Sequence, residues 1–338
     1  MPITRRLLAA LPVRTPLPPP RARGTARSIV WIYALPFALL YMLLTVASAW
    51  PGAQRAASGA TTAAATASDP AVMRGAALWL LLSVPVWLLL GMAERAPSVG
   101  LKRMAPRQLA AASCAVFCLA EAPMFLLGTA FEVLRAHSPA VAAHSGSNAG
   151  STLLGGVFAS VAAGVSEEIV VLVLPALAVW RFAPRATGAR QRRLGTAALL
   201  LVLVAARLSY HLEYGLAIVS LVPWSAVSVL LYLRTRAILP LMIAHAAYDI
   251  ALIPVNRVGA QHGFAAATAL FAALAALVLA GALLAGRTPR RVAAVPGEGG
   301  ACGGGVPAAV DTDSPIDRVP LPARTRPAGP EHSEPLSS

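Results

Sequence analysis

Eight apolar stretches divide the chain, at about 29–49, 72–92, 109–132, 152–180, 194–212, 216–233, 237–255 and 264–286. Each is long enough to cross a hydrocarbon core of about 30 Å as a helix. Backbone groups in lipid must be satisfied within the segment, which leaves helices as the form these stretches take. The pattern predicts an all-α fold, a polytopic membrane bundle of about eight transmembrane helices. The fifth to seventh stretches lie close together, and Pro223 and Pro240 mark kinks or helix starts there.

The flanks read differently. Residues 1–27 are rich in Arg and Pro, and residues 288–338 in Gly, Pro, Ser and charge, so neither offsets its ordering entropy by burying apolar surface. Both are expected to be disordered tails around a membrane domain at 28–287. Basic residues precede the first apolar run as they would in a signal peptide. The run from Ile29 to Trp50 is about 20 residues, however, and is read as a retained span.

Loop charge then sets an orientation. Arg5, Arg6, Arg14, Arg21, Arg23 and Arg27 precede the first stretch; Arg95, Lys102, Arg103 and Arg107 follow the second. Arg181, Arg185, Arg190, Arg192 and Arg193 follow the fourth, Arg234 and Arg236 the sixth, and Arg287, Arg290 and Arg291 the eighth. The alternate loops carry only Arg55, Arg135 and Arg257. The positive-inside rule therefore places both termini in the cytoplasm of a multi-pass cell-membrane protein.

Composition agrees with a lipid environment: 57% of the 338 residues are hydrophobic and 12% charged, against about a quarter charged in soluble domains. The net charge of +14 raises nucleic acid as a partner, but the arginines sit in loops and tails, only 6% of residues are aromatic, and no nucleic-acid motif is present. No nucleic-acid partner is expected. Cys114 and Cys118, one helical turn apart, and Cys302 in the tail read as small apolar residues rather than a metal site.

The candidate chemistry lies among the few ionisable side chains inside the apolar stretches, at Glu121, Glu167, Glu168, Arg207, His211, His245 and Asp249. Charge in lipid is costly, so each marks a bundle interior or a wet cavity. Glu167 and Glu168 are neighbours and on an α-helix point about 100° apart, so that one faces a site while the other supports it. Arg207 and His211 are four apart, as are His245 and Asp249, and each pair is expected on one helix face. Two such faces can converge on the carboxylates. Glu121, just before Pro123, is expected to cap a Pro-loosened turn or to pair with Arg207. Tyr210, His211 and Tyr214 also suit an interfacial anchor.

In order and spacing these residues resemble the CPBP intramembrane proteases, which include the CAAX-processing endopeptidases. Their three motifs, Glu-Glu-x-x-x-Arg, Phe-x-x-x-His and His-x-x-x-Asn or Asp, correspond to Glu167-Glu168-Ile169-Val170-Val171-Leu172, Arg207-Leu208-Ser209-Tyr210-His211 and His245-Ala246-Ala247-Tyr248-Asp249. The resemblance covers about residues 150–255. It implies an endopeptidase acting on a peptide or lipidated membrane protein. Glu167 would activate a water with His211, His245 and Asp249 would stabilise the oxyanion, and Glu168 would support them. No cofactor is expected. The alternative is zinc held by Glu167, His211 and His245, although no His-Glu-x-x-His pair is present.

Two positions depart from the family pattern: its motif Arg is Leu172 here, and its motif Phe is Arg207. Arg207 is expected to take over the charge pairing that Leu172 cannot perform. Asp249 donates a hydrogen bond only when protonated, so orienting His245 is its second role. Two other readings fit the same residues: a catalytically silent scaffold of the same fold, and a proton-coupled transporter using Glu, His and Asp as a relay. No self-similarity between halves supports the last.

Overall fold

The computed structural model describes residues 3–12, 25–57, 69–94, 99–137, 152–182 and 188–285. All belong to one unit, Met1–Pro289; the tail expected at 288–338 lies outside the described residues. Helix dominates, and no strand occurs among the described residues. The chain runs α1 (Ile3–Ala10), α2 (Thr25–Ala57), α3 (Asp69–Glu94), α4 (Pro106–Val116), α5 (Ala122–His137), α6 (Leu153–Glu167), α7 (Leu174–Phe182), α8 (Ala189–Ser209), α9 (Leu221–Thr235), α10 (Leu239–His262) and α11 (Phe264–Ala285). A π-turn, Phe117–Glu121, joins α4 to α5, and a second, Glu168–Val173, joins α6 to α7. A 3₁₀ segment, Leu212–Ser220, leads into α9.

Seven segments among the described residues are long and apolar enough to cross a membrane: Ser28–Gln54, Pro70–Glu94, Pro106–Phe131, Leu153–Phe182, Leu212–Thr235, Leu239–His262 and Phe264–Ala285. This is a multi-pass helical membrane bundle. The fifth predicted span, 194–212, falls on the helix α8, but Arg190, Arg192, Arg193 and Arg207 bracket its apolar part. The uncharged run from Leu194 to Ala206 is shorter than the ~20 residues a spanning helix needs. The helix is long enough to span only if Arg207 is neutralised inside the bundle.

The bundle is arranged for lipid rather than water. Large apolar side chains such as Leu39, Leu81, Leu201 and Leu277 point outward, each about 70% exposed, while Ser83, Ser166, Ser225, Glu168 and Arg207 are buried. Small residues and interhelical hydrogen bonds hold membrane helices together where hydrophobic burial gives no driving force. Ser83 Oγ donates its hydrogen to Trp79 O at 2.6 Å and lies 3.1 Å from Ser166 Oγ, whose hydroxyl donates to it and ties α3 to α6. Pro240 sits in the first turn of α10, where its missing N–H costs nothing.

Within the predicted N-terminal tail, Ile3–Ala10 is helical, contrary to expectation. Leu7 and Leu11, four apart, are buried, and α1 packs against α4 and α11 while Arg5 and Arg6 stay exposed. Composition alone missed this contact because only one row of residues makes it.

Candidate active site

Close approach of two helices creates the centre. Gly164 on α6 faces α10 so tightly that an added Cβ would stand 2.8 Å from Ala246 N, 2.9 Å from Ala246 Cβ and 2.9 Å from Met242 O. That absence of a side chain lets α6 bring its C-terminal carboxylates against His245, one residue before Ala246 on α10.

After Glu167 the helix widens into the π-turn, whose residues are all buried. Such i→i+5 turns are rare and recur at functional sites. Glu167 and Glu168 both reach His245. Glu168 Oε1 lies 3.1 Å from His245 Nδ1, and Glu167 Oε2 lies 3.9 Å from His245 Nε2.

The two carboxylates nonetheless have different surroundings. Glu168 is 1% exposed and accepts two hydrogen bonds from Arg207, Nη1 to Oε2 at 2.8 Å and Nη2 to Oε1 at 2.6 Å. The Arg207 guanidinium is itself fully buried and lies 4.2 Å from the centroid of the Trp224 ring. A charged pair survives in lipid only with such bidentate geometry. Arg207 therefore pairs with the carboxylate of the first motif from a different helix, while Leu172 is buried without charge. Glu167 keeps its side chain 15% exposed and accepts from Tyr210 Oη at 2.7 Å.

His245 occupies the junction. A carboxylate only accepts hydrogen bonds, so the Nδ1 facing Glu168 carries a proton. That leaves Nε2 aimed between Glu167, at 3.9 Å, and Asp249 Oδ2, at 3.7 Å. Asp249, one turn further along α10, is 29% exposed. Buried charge on one side, partly exposed carboxylates on the other and a directed imidazole nitrogen between them can orient a water and receive developing negative charge.

His211 is placed differently from expectation. Helix α8 ends at Ser209, so His211 lies in the following turn and shares no helix face with Arg207. Its ring packs instead among Tyr210 (4.4 Å between centroids), Tyr214 (5.6 Å) and Trp224 (6.0 Å). The Trp224 indole also meets the His245 ring edge-on at 5.2 Å, so one aromatic wall joins both histidines. Among the described residues no group of three or more His, Cys, Asp or Glu is placed to hold a metal ion.

Two contributors escaped the sequence reading, and a third was given other partners. Tyr210 stood inside the second motif but was read as an interfacial anchor, whereas it is 7% exposed and bonded to Glu167. Trp224 carried no signal beyond being an apolar residue in a span. Glu121 was expected to cap a turn or pair with Arg207; Arg207 is taken by Glu168, and Glu121 is buried at the end of the first π-turn.

Residues 149–251 match the family model described as Rce1-like, type II CAAX prenyl endopeptidase Rce1-like. The likeness is confined to this stretch. It runs from the start of α6 into α10 and contains Glu167, Glu168, Arg207, His211, His245 and Asp249. The Rce1-like segment makes up less than a third of the 338 residues, and Glu121 lies outside it. No curated protein and no solved structure matches the chain.

Proposed function

We propose that this chain is an intramembrane endopeptidase of the CPBP type, hydrolysing a peptide bond of a membrane-associated or lipidated protein with a water activated by Glu167. The observation that carries this reading is the placement of His245 Nε2 between two partly exposed carboxylates, 3.9 Å from Glu167 and 3.7 Å from Asp249, while Nδ1 is anchored on the buried Glu168.

The chemistry follows from those positions. A water between Glu167 and the scissile carbonyl gives its proton to Glu167 as its oxygen bonds to the carbonyl carbon. Tyr210 Oη holds the carboxylate in place, and His211 supports it from the aromatic wall. Negative charge moves to the carbonyl oxygen and is met by a protonated His245 Nε2, which Asp249 and Glu168 orient. Collapse of the tetrahedral intermediate breaks the C–N bond, and the proton held by Glu167 passes to the leaving amine. The Arg207–Glu168 pair keeps the site's charge balanced from beneath. No step is routed through a metal. The basic loops support a cytoplasmic position for both termini.

The test is cleavage of a panel of fluorogenic and lipidated peptides by purified protein in detergent, comparing wild type with Glu167→Ala and His245→Ala, with and without a chelator. Cleavage by wild type alone, insensitive to chelator, supports the mechanism. Loss on chelation replaces it with metal chemistry. Cleavage that survives Glu167→Ala overturns the assignment. No cleavage by any folded protein favours the silent scaffold.

A further inference from the structure

Two π-turns, not one, deliver a carboxylate to the same cluster. Phe117–Glu121 packs against α9 and α10. Phe117 meets the Tyr248 ring at 6.4 Å and stacks near Phe271 at 6.2 Å, which fixes the turn beside the third motif. Glu121 ends this turn 1% exposed and interacts electrostatically with His245, Asp249 and Glu168.

Its Oε2 is fully enclosed and has no hydrogen-bond partner. Trp224, 2% exposed, has an equally enclosed indole N–H with no partner. The donor and the acceptor lie within reach of each other without closing a hydrogen bond. An unmade bond at such a buried site is expensive, because each group forfeits its solvation without compensation. A small side-chain rotation or one enclosed water satisfies both.

The position of Trp224 gives this pairing a consequence. Its ring is the shared neighbour of Arg207 (4.2 Å), His245 (5.2 Å) and His211 (6.0 Å). Whatever fixes the indole in its plane fixes the spacing of the two histidines.

We infer that Glu121 is a positioning residue: its carboxylate accepts the Trp224 indole N–H, directly or through one buried water, and so holds the ring that spaces His211 from His245. The inference of a catalytic consequence rests on the endopeptidase reading; the pairing itself does not. Because Glu121 lies outside the Rce1-like segment, the site is completed by a helix from the other part of the bundle.

The test uses the full chain in detergent with ¹⁵N-labelled tryptophan. Trp224→Phe identifies one of the six indole N–H resonances. In the wild type that resonance is expected downfield and slow to exchange; an upfield, rapidly exchanging indole overturns the pairing without any mutation at Glu121. Glu121→Leu, of similar size, should move this resonance upfield and leave the other five in place, whereas Glu121→Gln, which keeps an acceptor oxygen, should restore it. A Trp224 resonance indifferent to Glu121→Leu sinks the proposal. With a cleavable peptide, Glu121→Leu should lower kcat by roughly 10²-fold with little change in KM, and Glu121→Gln should recover most of it. If wild type cleaves nothing, the endopeptidase reading is what fails, and the indole resonances still decide the pairing.

Discussion

Arg207 and Glu168 form a two-pronged ion pair, 2.8 and 2.6 Å, at a point in the bundle where their side chains are 0% and 1% exposed. The two residues come from different helices and 39 positions apart in the chain. Arg207 is the residue that departs from the family pattern in the second motif, and it meets the carboxylate of the first motif, whose own Arg is replaced by Leu172. The cation beside Glu168 is Arg207, and Leu172 contributes none.

Removing Arg207 strands a buried carboxylate. Arg207→Leu is expected to destabilise the protein by about 3–5 kcal/mol, measured as the unfolding transition in detergent. Combining it with Leu172→Arg should recover part of that loss. A double variant no more stable than Arg207→Leu would show that the two positions are not exchangeable.

Gly164 is predicted not to tolerate a side chain, because backbone rather than a flexible side chain faces it. Gly164→Ala drives a Cβ into the backbone of α10 at 2.8–2.9 Å, which should separate α6 from α10, cost about 1–3 kcal/mol and reduce activity. Gly195→Ala on α8, where nothing lies within 4 Å, is the control. It should be neutral or stabilising by up to about 1 kcal/mol.

Tyr210→Phe keeps the ring and removes the donor to Glu167. A hydrogen bond to a charged group contributes about 1.5–3 kcal/mol, so turnover should fall by about one to two orders of magnitude while the melting transition barely moves. Equal loss of stability and activity would mean that Tyr210 serves the fold rather than the carboxylate.

At Asp249 the choice of replacement is informative. Asp249→Asn retains an acceptor toward His245 and adds an amide donor toward a developing oxyanion, so cleavage should persist; Asp249→Ala removes both and should abolish it. Peptide turnover by the two variants, with folding checked by circular dichroism, separates an oriented polar contact from a required negative charge.

How much of this was legible in the chain depends on the residue. Glu167, Glu168, Arg207, His245 and Asp249 stood out because ionisable groups are rare in apolar stretches and need an interior site, and the structure brings these five together. Tyr210 and Trp224 did not stand out, since aromatic side chains suit lipid, interface and core alike. His211 was legible as a residue but not as a position: its helix was taken to continue, and α8 stops two residues earlier. The span count shows the same limit. The stretch holding Arg207 reads as apolar only if its arginine is discounted, and the sequence cannot tell whether a partner neutralises it.

The sequence by itself determined the solvent and the class: long apolar runs with their charges between them admit only a helical membrane bundle, because lipid offers backbone groups no other partner. Tertiary structure decided what those helices do to one another. The close contact at Gly164, the two π-turns and the Arg207–Glu168 pair each depend on groups far apart in the chain. A wider turn loses local hydrogen-bond regularity, and a buried charge loses solvation. Both are held only when packing from other helices compensates them, and that compensation is a property of the assembled bundle rather than of any local pattern.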